Sequence, residues 1–86
     1  MPTPAEIEQR VRSYVLQQVL MGEDASQLTN QTPLVTSGLL DSISTLRFVS
    51  FLEQELGVAI AAHETGADNF DTIERIVRLV ASKLPS

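Results

Sequence analysis

Apolar residues along this chain recur at helical spacing in three segments, each opened by a capping residue, and nowhere alternate in the two-residue period of a half-buried strand. That patterning points to an all-α bundle. Thr3-Pro4-Ala5-Glu6 begins the first helix: Thr3 is placed to cap free backbone N–H groups, Pro4 suits the first turn, and Glu6 completes a capping box. The helix is expected to run to about Met21. Ile7, Val11, Tyr14 and Val15 line its core face, Leu16, Val19 and Leu20 widen it, and Gly22 is the expected stop.

From residue 22 to residue 40 the chain is polar and turn-rich, yet Leu28, Leu34, Val35, Leu39 and Leu40 punctuate it. Loops this long are functional or held down by their own side chains, and the leucines predict tethering. Asp41 or Ser42 opens a second helix that reaches Leu56 before Gly57 ends it. At about 100° per residue, Thr45, Phe48, Val49, Leu52 and Leu56 share a core-facing arc, while Ile43, Leu46, Arg47, Ser50 and Gln54 share the opposite one. Val58 to Asn69 has weak periodicity and contains Gly66, so at most one short helical turn is expected there. Asp71-Thr72-Ile73-Glu74 reads as another capping box, with Phe70 plugging the core and Asp71 as the cap. Ile73, Ile76, Val77, Val80 and Leu84 then repeat at helical spacing until Pro85. The expected architecture is a small four-helix bundle with a long first loop and a short third helix, a single domain over residues 1–86.

A domain of 86 residues buries only about 60% of the surface its unfolded chain exposes, so a deep enclosed active site is not expected. With no cysteine, the core must hold without disulfides or a thiolate metal site. Eleven acids oppose six scattered bases, Arg10, Arg12, Arg47, Arg75, Arg78 and Lys83, for a formal charge of −5. No basic stripe is present to track a nucleic-acid backbone. The acidity keeps the domain soluble and favours partners with basic patches. No apolar stretch approaches the roughly 20 residues that span a bilayer, and the N-terminus leads into a charged amphipathic segment rather than a signal peptide. A cytoplasmic monomer is expected.

The chemically informative segment is Gly38-Leu39-Leu40-Asp41-Ser42-Ile43, where the long loop meets the second helix. Taken alone, Asp-Ser at a helix start is a common cap. A helix start projecting from a loop also exposes a primary hydroxyl to a second enzyme. Serine by itself is a poor nucleophile, and no base lies near Ser42 in sequence, so activation must come from outside. The remaining polar residues offer less. His63, Glu64 and Asp68 supply one imidazole and loop carboxylates, too little for a metal site. Glu53 and Glu55 fall on different helical faces. Tyr14 belongs to the core.

The arrangement resembles the acyl and peptidyl carrier protein family, in stand-alone form. That family carries its prosthetic arm on the serine of an Asp-Ser-Leu-like motif at the start of its second helix, preceded by a glycine and apolar residues. Here Gly38-Leu39-Leu40-Asp41-Ser42-Ile43 matches that motif, and Phe48, Val49, Leu52-Glu53 and Leu56-Gly57-Val58 resemble its downstream pattern. The resemblance implies that a phosphopantetheinyl transferase, using CoA and Mg²⁺, attaches 4′-phosphopantetheine to Ser42, with Asp41 presenting the serine. The arm would hold acyl, aminoacyl or peptidyl groups as thioesters. Its partners would be an adenylating or acyl-loading enzyme and downstream transferase, condensation or modifying enzymes, so the protein is a substrate and shuttle and not an enzyme. The phosphodiester would lie near free helix N–H groups, which favour negative charge by about 0.3–1 kcal/mol, opposed slightly by Asp41.

Docking is expected around Ser42, through Ile43, Leu46, Arg47 and Ser50. Fatty-acid carriers have acidic residues along this helix, whereas Ser44, Arg47, Ser50 and Gln54 stand here. That departure points to a dedicated nonribosomal-peptide, polyketide or aminoacyl pathway, and Asn69-Phe70-Asp71-Thr72 looks like the entry to the last helix in some stand-alone aminoacyl and D-alanyl carriers. The alternatives are a general fatty-acid-synthesis acyl carrier and an unmodified helical protein-interaction module.

Overall fold

In the computed structural model, which describes residues 3–20 and 28–84, four α-helices run in chain order with no strand among the described residues. The first, α1, spans Pro4–Tyr14, and its cap is the expected one: the Thr3 hydroxyl accepts from the Glu6 N–H at 3.2 Å. Ile7, Val11 and Val15 are buried, with Tyr14, Leu16, Val19 and Leu20 packed beside them. The helix does not continue in α form to Met21. It widens into a π-helical turn over Val15–Val19, closed by the Leu20 N–H on the Val15 carbonyl at 2.9 Å. An apolar run broader than one α-helical stripe is compatible with either geometry, so periodicity alone does not tell them apart. Gly22, the expected stop, and Pro85, the expected end of the last helix, lie outside the described residues.

The second helix, α2, spans Ser42–Leu56 and ends on Gly57, whose left-handed φ of 69° suits a residue without a Cβ. Its two arcs fall as the spacing predicts: Thr45, Phe48, Val49, Leu52 and Leu56 are buried, and Ile43, Leu46, Arg47, Ser50 and Gln54 are exposed. Beyond Gly57 there are two short turns where at most one was expected, a 3₁₀ turn at Ala62–Glu64 and the one-turn helix α3 at Ala67–Phe70. They are too short to show periodicity, and long-range bonds hold them. Glu64 Oε1 accepts from the Ala61 N–H at 2.9 Å and pairs with Lys83 Nζ at 2.6 Å, which uses the carboxylate inside the fold.

The last helix, α4, spans Ile73–Lys83 and packs mainly against α1. Leu79 joins Ile73, Ile76 and Val80 in the core, a position missing from the sequence reading, while Val77 and Leu84 are only half-buried. Phe70 is fully buried, and its ring lies 5.9 Å from that of Phe48, which in turn lies 4.4 Å from Tyr14. This aromatic chain ties α1, α2 and α3 together.

The cap of α4 is a correction. Thr72, not Asp71, caps it, accepting from the Arg75 N–H at 3.1 Å. A cap must be extended, and Thr72 is (φ −135°, ψ 158°), whereas Asp71 still has the helical backbone that closes α3. The Asp71 carboxylate is drawn elsewhere. Its Oδ1 accepts from the N–H groups of Leu34, Val35 and Thr36 at 3.2, 3.0 and 2.9 Å, and the Thr36 hydroxyl donates to it as well. Together with Leu28, Leu34 and Leu40 in the core, this carboxylate fastens the long loop.

Candidate functional site

Ser42 takes its chemical character from being the first residue of α2. The preceding Asp41 is extended (φ −91°, ψ −176°), and its carboxylate folds forward to accept from the Ser44 N–H at 2.7 Å. Ser44, through its backbone N–H first and its hydroxyl second, holds the Asp41 carboxyl below its usual range, with the Arg47 guanidinium adding a weaker attraction through space. The Ser44 N–H, one of the donors that a helix start offers to an incoming anion, is thus taken by a carboxylate.

The Ser42 side chain is exposed, and its hydroxyl makes no hydrogen bond to any described residue. No imidazole or carboxylate on the described chain is thus set to take its proton. An open groove of about 460 Å³ includes this serine in its lining, with Val35, Leu40, Asp41, Thr45, Leu46 and Thr65. A larger groove of about 630 Å³ lies between α1 and α2 among Arg10, Tyr14, Phe51 and Glu55, and contains none of the residues that the sequence predicts for attachment or docking. Tyr14 belongs there to the core stack, 4.5 Å from Phe51, and burial pushes its phenol above the ordinary value.

The predicted docking residues are brought together. Ile43, Leu46, Arg47 and Ser50 are all exposed on the outward side of α2, next to Ser42. Two contributors had no sequence signal. Thr65 reaches the groove from across the fold, and Asp71 acts on it through the loop. The Asp71 carbonyl accepts from the Leu34 N–H at 2.6 Å, and the Leu34 carbonyl accepts from the Leu40 N–H at 2.8 Å, two residues before Ser42.

Asp71 carries a pH prediction. The Thr36 N–H first, then the Thr36 hydroxyl and the N–H groups of Val35 and Leu34, hold its carboxyl below the ordinary value against partial desolvation. A folded-state value below the unfolded one means that the stabilisation is full above the unfolded pKa of about 3.9 and is lost as pH falls through the folded value. Asp71→Asn is expected to cost about 1–2 kcal/mol at neutral pH, since a neutral amide accepts more weakly. Its urea-melt stability should then fall less steeply than that of the wild type below about pH 4. Parallel pH profiles for the two proteins would count against this role.

Similarity to known proteins bears on the same segment. A family model described as the phosphopantetheine attachment site matches residues 2–80. The probable acyl carrier protein PigG of Serratia sp. (strain ATCC 39006) is 35% identical over 74 residues, covering 86% of this chain and 84% of that protein. A chain in the crystal structure of an FAD-dependent dehydrogenase superposes with a TM-score of 0.73 at 28% identity, over 81% of this chain and 97% of its own length. No helix among the described residues is long and apolar enough to cross a membrane.

Proposed function

Because the chain belongs to the phosphopantetheine-attachment family of acyl carrier proteins, we propose that Ser42 is its attachment serine and that the protein shuttles thioester-bound intermediates between the enzymes of a dedicated biosynthetic pathway. The observation that carries the site is the exposed Ser42 hydroxyl, free of hydrogen bonds to described residues, at the first position of a capped helix. The surroundings suit 4′-phosphopantetheine. The groove at Ser42 is lined by the aliphatic side chains of Val35, Leu40 and Leu46 together with Asp41, Thr45 and Thr65, a mixed apolar and polar lining that suits an arm of alternating apolar and amide character.

Ser42 Oγ attacks the β-phosphorus of CoA, the bond to the adenosine bisphosphate half breaks, and the hydroxyl proton passes to a base of the transferase. Once attached, the arm supplies a terminal thiol that holds cargo as a thioester. This chain's own part is to present and orient. Asp41 caps α2 and thereby sets the backbone of the serine, and Asp71 anchors the loop that delivers it. Tethering raises the effective concentration of cargo at each enzyme without tight docking. Docking falls to Ile43, Leu46, Arg47 and Ser50.

A dedicated pathway, in place of general fatty-acid synthesis, is supported by Ser44, Arg47, Ser50 and Gln54 standing where a strongly acidic helix would otherwise be. The likeness to a chain from the crystal structure of an FAD-dependent dehydrogenase supports testing an enzyme of that kind as a partner. The deciding experiment is intact mass after incubation with CoA, Mg²⁺ and a broad-range phosphopantetheinyl transferase. A gain of one phosphopantetheinyl unit is expected. An unchanged mass with several such transferases would leave the unmodified interaction module as the better reading. Trapping the thioester on the charged protein then identifies the cargo.

A further inference from the structure

We infer that the exposed face of α2 docks into an apolar pocket edged by carboxylate, so that the partner surface is acidic where it meets Arg47. Ile43 and Leu46 are 64% and 63% exposed, the two large hydrophobic residues that stand well out of the surface among the described residues. They are three residues apart on one helix and so form a single patch.

The second observation is what the basic side chains do. Arg10 pairs with Glu55, Arg78 with Glu74 and Lys83 with Glu64. Arg12 bonds to the Leu28 carbonyl and to Asn30, and Arg75 to the Ala67 carbonyl. Among the described arginines and lysines, Arg47 alone makes no hydrogen bond or ion pair, its guanidinium acting on Asp41 only through space, and it adjoins Leu46. Asp41 and Glu53, the exposed acids bordering this face, and the half-buried Glu64 each already have a partner within the chain. Asp41 accepts from the Ser44 N–H, Glu53 from the Ile60 N–H, and Glu64, beside the groove residue Thr65, pairs with Lys83.

A net charge of −5 draws basic surfaces to the molecule as a whole, but this face presents two aliphatic side chains and an uncommitted guanidinium. A basic pocket would set like charges together at Arg47, while a carboxylate meets its planar fork in the favoured two-pronged geometry. The polarity of the partner is therefore opposite to the one that overall charge selects. This deepens the carrier reading by giving the docking enzyme a chemistry, and so rests on it, but its test needs no attached arm.

Uniformly ¹⁵N-labelled protein is titrated at low ionic strength with two amphipathic helical peptides that share one leucine face, one flanked by glutamates and the other by lysines. The glutamate peptide is expected to shift the amides of Ile43, Leu46 and Arg47 and to bind there about two- to fivefold tighter than the lysine peptide, the range of an exposed ion pair. Arg47→Glu should reverse the order. Tighter binding of the lysine peptide on this face, shifts confined to other faces, or no shift at all would overturn the inference. Mass gain in the transferase assay reports the carrier reading separately, so the two ideas fail by different readings.

Discussion

Ser42→Ala is expected to take up no phosphopantetheine, while Ser44→Ala and Ser50→Ala, three-dimensional neighbours on the same helix, should load as the wild type does. The argument is one of access and chemistry. Ser42 is the exposed first residue of α2 with an uncommitted hydroxyl. Other hydroxyls nearby are occupied or enclosed: Thr36 donates to Asp71, Ser37 donates to the Pro33 carbonyl at 2.7 Å, and Thr45 is buried on the core side. Ser50 is exposed, but it sits mid-helix, where no loop end lifts it towards an enzyme. Replacing an exposed serine at a helix start removes little packing, so the unfolding free energy should change by no more than about 0.5 kcal/mol, and lost loading cannot be ascribed to unfolding. Intact mass reads the outcome, and a full mass gain in Ser42→Ala would move the attachment point elsewhere.

The largest loss of stability is expected from Phe48→Ala. Phe48 is fully buried, and its ring is within 4.4 Å of Tyr14, 5.9 Å of Phe70 and 6.3 Å of Phe51 by centroid. Emptying such a site costs about 3–5 kcal/mol through lost burial and the cavity left behind. A domain of this size has a total stability of only about 4–13 kcal/mol at typical values per residue. The variant should therefore unfold at a much lower urea concentration or lose its cooperative transition. Phe48→Leu, which keeps most of the volume, should cost clearly less. Phe51→Ala is the internal control, because Phe51 is only partly buried and should lose about half as much. Equal urea midpoints for the two alanine variants would refute the central place given to Phe48. Loading of Phe48→Ala should fall in step with its folded fraction, since Ser42 is presented only by a formed α2.

How much was legible depends on the range of the interaction concerned. The cap of α1 at Thr3, the start of α2 behind Asp41 and its stop at Gly57 follow from hydrogen bonds that span three or four residues, and these are present as read. Asp71 shows the limit. Its local setting is that of a capping box, yet three N–H groups some 35 residues earlier in the chain compete for the same carboxylate, and Thr72 takes the cap. Val15–Val19 was read as helix without its π form, and at most one short turn was expected where Ala62–Glu64 and Ala67–Phe70 form two, because such short runs do not reveal their form through periodicity.

The helix start within Gly38-Leu39-Leu40-Asp41-Ser42-Ile43 and the two faces of α2 were determined by the sequence alone. Backbone capping and the helical repeat act within one or two turns, so the order of residues already contains them. Only the tertiary structure decided that Asp71 anchors the loop leading to Ser42, that Thr65 lines its groove, and that Arg47 alone of the described arginines and lysines makes no hydrogen bond or ion pair. Those outcomes depend on which charges and N–H groups meet across the fold, and electrostatic pairing between distant segments leaves no periodic trace along the chain.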